Sequence, residues 1–116
     1  QGERQRVLIG RSLMAKPSVL LLDEPCAGLD PAARENFLQF INDLGQEKNS
    51  PTFVFVTHHV EEITSIYTHA LLLRGGQVLD SGPIKKMLTS AKISEVFGKN
   101  FSLTRINNRY RLKLKS

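Results

Sequence analysis

Cysteine is almost absent from this 116-residue chain, and the single Cys26 excludes any internal disulfide. A lone thiol fits a reducing compartment. Long apolar runs are absent too. The longest, such as Val19 to Leu22 and Ala70 to Leu73, fall far short of the ~20 residues a membrane-spanning helix takes. No signal-peptide pattern opens the chain. It starts Gln1-Gly2-Glu3 without methionine, so a piece of a longer protein is expected. Nowhere does Gly-x-x-x-x-Gly-Lys-Ser/Thr occur, the loop whose amides wrap phosphates. Acidic residues are scarce at one end. Residues 85–116 carry Lys85, Lys86, Lys92, Lys99, Arg105, Arg109, Arg111, Lys113 and Lys115 against Glu95 alone. That is a net +8 against +5 for the whole chain, which leaves −3 for residues 1–84. The simplest reading is a solvated strand face; attraction to anionic lipid or nucleic acid is the sharper alternative.

The length suits one small domain. Glu3 to Ala15 reads as a helix, with Val7, Met14 and Arg11 on one face and Leu8, Leu13 and Ile9 widening it, and Pro17 stops it. Ser18 to Asp23 reads as a buried strand. Asp30-Pro31 starts a second helix, with Asp30 as cap, Phe37, Ile41 and Leu44 inward, Phe40 alongside and Gly45 near its exit. Thr52 to Thr57 is a second strand, and His59 to Tyr67 reads as a short helix. Ala70 to Arg74 is a third strand, turning at Gly75-Gly76 into Gln77 to Asp80, with Gly82-Pro83 closing the unit. Ile84 to Ser90 and Ile93 to Phe97 read as short helices. The tail reads as a separate hairpin about Asn107-Asn108, pairing Leu103 with Leu112 and Phe101 with Leu114. Helix, strand, helix, strand, helix, strand predicts a parallel sheet with covering helices, an α/β class. The antiparallel pair and the hairpin are added at its end.

Val19-Leu20-Leu21-Leu22-Asp23-Glu24-Pro25 carries the most chemistry. Aliphatic residues run straight into two adjacent carboxylates, which is costly unless the acids have a task. Where a strand ends, the backbone turns and both acids reach one cleft. Many nucleotide-hydrolysing α/β folds hold a magnesium ion and a water this way. Read alone, the pair is also compatible with an exposed acidic turn. His58, after Val56-Thr57, ends the next apolar run, and a lone histidine there is usually just a polar strand end. His59 is expected to be exposed, and His69 belongs to no motif.

Taken together, Asp23-Glu24, Ala27-Gly28-Leu29-Asp30 and Val56-Thr57-His58 resemble the second half of the ATPase domain of an ABC (ATP-binding cassette) transporter. Gln1-Gly2-Glu3-Arg4-Gln5-Arg6 resembles the end of the signature motif of that family, without its leading leucine and serine. The resemblance covers residues 1–98, with 99–116 as an appended basic hairpin. It implies part of a P-loop NTPase (RecA-like) parallel sheet. It further implies that Asp23 holds Mg2+ through water, that Glu24 polarises the attacking water, and that His58 contacts the terminal phosphate of ATP. Gly2 and Glu3, at a helix N-terminus, would face ATP held by a second subunit. Asp30 belongs to the loop that touches that subunit and has a sufficient structural task as a helix cap.

The same resemblance implies a head-to-tail pair of ATPase subunits, membrane permease partners and a cytoplasmic position on the inner face of the membrane, with no nucleic acid. The family's phosphate loop, its adenine-stacking aromatic and its glutamine loop are all missing. The chain alone is therefore expected to be inactive, and to self-associate because a strand between the His58 strand and the Ala70 strand is missing. Two other readings stand beside this one. A non-transport ABC-type ATPase acting on nucleic acid or ribosomes would suit the basic tail. A silent binding module would not need both Glu24 and His58.

Overall fold

Two apolar runs, Val19–Asp23 (β1) and Thr52–Val56 (β2), pair in parallel, with Val19 opposite Thr52 and Asp23 opposite Val56. Parallel neighbours need a long crossover, and here it contains the helix Pro31–Gly45 (α2). The computed structural model describes residues 2–115, and Gln1 of the signature-like hexapeptide lies outside them. Asp30 caps α2 as expected. Its backbone is extended at φ −70 and ψ 168, and its Oδ1 accepts a 2.8 Å hydrogen bond from the Ala33 amide. Pro31 takes the first helical position, where no amide is needed. The helix Gly2–Met14 (α1) lies against α2, and the Arg6 guanidinium sits over the Phe40 ring, 5.5 Å from its centre.

The chain divides into two compact units at His58/His59. In the first, Ile9, Leu22, Cys26, Phe37, Leu38 and Ile41 are buried, Phe37 and Ile41 completely. Burial there departs from the sequence reading in two places. β1 is buried on one face only: Leu22 is inside, while Val19 and Leu21 are 56% and 63% exposed. Strand alternation puts Val54 and Val56 on that same exposed face. In α1 the Val7 and Met14 side faces out, and Ile9, with half-buried Gln5 and Leu13 one turn either side, faces in.

The second unit begins with a correction. His59 to Tyr67 is not a helix. It holds a single 3-10 turn, Val60–Glu62, and Ile63 is already extended. Val60, Ile63, Thr64 and Ile66 are β-branched and resist helix, and so short a segment has no reserve to overcome that. His59 is exposed, as expected. The strands His69–Arg74 (β3) and Gln77–Pro83 (β4) form a hairpin about Gly75-Gly76, whose φ angles of 58 and 76 are those of a primed turn. β4 runs through Gly82-Pro83 instead of stopping before it. Pro83 closes the ladder opposite His69, a strand terminus where proline is tolerated. Ile84–Met87 (α3) is one turn, shorter than expected, and Ser90–Phe97 (α4) begins earlier than expected. Thr89 sets that start, its side chain accepting from the Lys92 amide at 3.2 Å, and Gly98 ends α4 at φ 73.

Phe101–Ile106 (β5) and Arg109–Leu114 (β6) pair in the register expected, with Asn107 and Asn108 at φ 53 and 63. The hairpin is not a separate structure. Tyr110 is buried with Val60, Leu72, Met87, Leu88 and Ile93, and Leu103 and Leu112 pack on that cluster. Arg109 adds a tie, donating from Nε to the Glu61 carbonyl at 3.1 Å. Among the described residues the strands make three two-stranded sheets, of which only β1–β2 is parallel. β3 pairs with β4 as the expected hairpin, and with no parallel strand among the described residues.

Gly98 carries a testable consequence. A side chain there would be held at positive φ, with its Cβ 3.3 Å from Arg74 Nη2. Gly98→Ala should lower stability by about 1 kcal/mol, read from the urea midpoint. A second test concerns Asp80. The Lys92 ammonium, hydrogen-bonded to Asp80 Oδ2, holds that carboxyl below its ordinary range, helped by the Ser81 amide. The folded-state pKa is thus below the unfolded one. The pair's contribution is complete above the ordinary carboxylate value of ~3.9 and fades as pH falls through the folded value. The pair is partly exposed, so the effect is small. Asp80→Asn should lower the melting temperature slightly at neutral pH, with the difference vanishing in acid.

Candidate functional site

Parallel pairing puts the carboxyl ends of β1 and β2 side by side, and the sequence places its reactive residues there. Asp23 is the last residue of β1, exposed, opposite Val56. Glu24 follows, and its amide donates to the Val56 carbonyl at 2.9 Å. Its φ is +48, a left-handed conformation that a residue with a Cβ rarely adopts. That turn swings the Glu24 side chain toward the end of β2, where His58 stands two residues past the strand. His58 Nε2 lies 3.3 Å from Glu24 Oε1. The imidazole is 81% exposed, whereas the Glu24 side chain is 31% exposed. Glu24 Oε1 is itself buried and makes no hydrogen bond, so the 3.3 Å approach is a close contact without hydrogen-bond alignment. An acceptor oxygen beside an imidazole is thereby left with capacity for a donor such as water.

The other expected site residues stand apart from this pair. Gly2 opens α1, and Glu3 is exposed in its first turn. Asp30 is occupied as the α2 cap. Among the described residues, neither Glu3 nor Asp30 makes a hydrogen bond or ion pair with Asp23, Glu24 or His58. Gly28, at φ 81, shapes the loop between Glu24 and Asp30. One contact had no role in the sequence reading. Gln5 Nε2 donates 3.0 Å to the Pro25 carbonyl, fastening α1 to the turn that carries Glu24. Its signal was available: Gln5 lies in the signature-like hexapeptide, on the half-buried side of α1 one turn before Ile9.

Among the described residues no group of three His, Cys, Asp or Glu side chains gathers in a metal-binding arrangement. The donor set still suits magnesium. That ion keeps several waters and takes one or two carboxylates together with substrate phosphates, rather than an all-protein cage. Exposed Asp23 offers such a carboxylate, next in the chain to Glu24, whose Oε1 accepts no hydrogen bond among the described residues.

The strain at Glu24 is separable from its chemistry. Glu24→Gly and Glu24→Ala both remove the carboxylate, but only glycine relieves positive φ. The glycine variant should be the more stable of the two by about 1 kcal/mol in urea denaturation. Equal stabilities would place Glu24 in an ordinary backbone conformation.

With this geometry in view, the comparisons with known proteins agree with one another. A family model described as "AAA domain, putative AbiEii toxin, Type IV TA system" matches residues 7–64, half of the chain. The chain is 50% identical over 97 residues to the ABC transporter ATP-binding protein YlmA of Bacillus subtilis (strain 168), covering 84% of this chain and 37% of that protein. It is 40% identical over 110 residues to the ABC transporter ATP-binding protein YmeB of Lactococcus lactis subsp. lactis (strain IL1403), covering 95% of this chain and 42% of that protein. A solved structure, "An inward-facing conformation of a putative metal-chelate type ABC transporter", superposes with a TM-score of 0.79 at 27% identity, covering 98% of this chain and 45% of that one. The chain thus spans well under half the length of these curated relatives. The structural likeness makes the fold that of part of an ABC-type P-loop NTPase domain. The chain belongs to the AAA-domain family, and its homologues are ATP-binding proteins of ABC transporters.

Proposed function

We propose that the full-length protein hydrolyses ATP as a peripheral subunit of a membrane transporter on the cytoplasmic face, and that this chain supplies the hydrolytic half of its ATPase domain. The observation that carries the proposal is the approach of Glu24 Oε1 and His58 Nε2 to 3.3 Å, at the shared end of two parallel strands. Supporting it are the relatives, which are ATP-binding proteins of ABC transporters. We assign residues 1–98 to the ATPase portion and 99–116 to an appended hairpin.

Each residue has a task in this reading. Glu24 accepts a proton from the attacking water through Oε1, which accepts no hydrogen bond among the described residues. His58, largely exposed, reaches the terminal phosphate and holds the water against Glu24. Asp23 holds magnesium through water, and when bound that ion neutralises charge on the phosphate oxygens. Gly2 and Glu3 present the α1 N-terminus to a nucleotide held by a second ATPase subunit. Asp30 keeps its capping bond and places the loop that meets that subunit. Permease subunits complete the assembly.

Positioning and charge do most of the work in phosphoryl transfer, so losing the proton acceptor should affect kcat more than binding. In the full-length protein, Glu24→Gln should lower kcat by about 100-fold or more with little change in KM for ATP. An unchanged kcat would remove Glu24 from the mechanism. The isolated 116-residue chain, lacking a phosphate loop, should show no micromolar Mg-ATP binding by calorimetry.

A further inference from the structure

The second unit carries a feature that the ATPase reading does not use. A shallow cavity of about 210 Å3 is lined by Lys85 and Leu88, by Leu103, Thr104 and Arg105 of β5, and by Tyr110 of β6. Its floor is apolar, with Leu88 and Tyr110 buried and Leu103 half-buried. Its rim is cationic, with Lys85 at the single turn α3 and Arg105 near the tip of the hairpin. No carboxylate lines it.

Two observations separate this cavity from the general positive charge of the tail. The first is that some basic residues are already engaged, and of the tail cations that are not, only two line the cavity. Lys92 is paired with Asp80, Arg109 donates to the Glu61 carbonyl, and Arg74 donates to the Glu95 carbonyl at 2.8 Å. Lys85 and Arg105, like Lys86, Lys99, Arg111, Lys113 and Lys115, have no ion pair among the described residues, but only Lys85 and Arg105 line the cavity. The second is that Arg105 is pre-positioned. Its guanidinium lies over the Tyr110 ring, 5.4 Å from the centre, and Tyr110 is fixed in the core. A planar guanidinium held by an aromatic face keeps its N–H fork free for an oxyanion. Size narrows the ligand: pockets for drug-sized molecules run ~300–1,000 Å3, so a nucleotide is too large, whereas a phosphoryl group fits.

We propose that Lys85 and Arg105 form a binding site for a phosphoryl oxyanion, distinct from the ATP site and independent of the ATPase reading. The group could arrive as free phosphate or on the headgroup of an anionic lipid; both present the same three oxygens to the same residues.

The test uses the 116-residue chain, with inorganic phosphate and phosphatidate vesicles as two arms. Amide chemical shifts in 15N NMR report the location. Expected in the phosphate arm are saturable shifts at residues 103–106 and at Tyr110, with none at Glu24 or His58. Lys85→Gln and Arg105→Gln should each weaken binding about tenfold. Lys113→Gln removes the same charge from the hairpin position opposite Ser102, away from the cavity, and should change it less than twofold. Arg105→Lys, which keeps charge and loses the fork, should fall with Arg105→Gln. Binding to vesicles alone, with the same variant pattern, places the oxyanion on a lipid and supports the site. Equal losses from Lys113→Gln and Lys85→Gln would reduce the effect to bulk charge and overturn the proposal. So would the absence of saturable shifts in both arms.

Discussion

Register between β1 and β2 is the constraint on which the rest of the first unit depends. Parallel pairing with Asp23 opposite Val56 brings both strands to an end at the same level. The Glu24 amide adds one more bond to the Val56 carbonyl, and the backbone then turns through positive φ. A slip of one residue would reverse every side chain on one strand and send Asp23 toward the opposite face. The Glu24–His58 approach follows from pairing geometry, and neither residue needs a dedicated scaffold of its own. Strain at Glu24 is the local cost of aiming a carboxylate across the strand ends.

Much of this was legible in the chain because each signal had a local physical cause. Asp30-Pro31 specifies a helix start through its own capping bond, and that bond is present. Asn107-Asn108 specifies a primed turn, and the hairpin register follows from alternation on either side. Asp23 and Glu24 stood out as charges at the end of an aliphatic run. His58 gained meaning only from the neighbouring strand, a relation the family resemblance supplied and spacing alone does not.

What was illegible depends on tertiary company. The Val7 face and the Ile9 face of α1 are similar in hydropathy, and contact with α2 decides between them. Residues 59–67 have helical spacing of apolar positions, yet β-branching and the burial of Val60 leave one 3-10 turn. The hairpin looked detached because its charge is so uneven. Its inner face holds Tyr110 in the same cluster as Leu72 and Ile93, so the tail builds the core it was expected to hang from. The parallel ladder stops at two strands among the described residues, while β3 pairs with β4 as the turn signal at Gly75-Gly76 indicated.

The exposed face of β1–β2 has a consequence of its own. Val19, Leu21, Val54 and Val56 form a contiguous aliphatic patch on a type of sheet that is ordinarily sheathed on both sides. A surface like that makes the chain a poor solute: encounters between molecules are adhesive, and losses from solution grow faster than concentration.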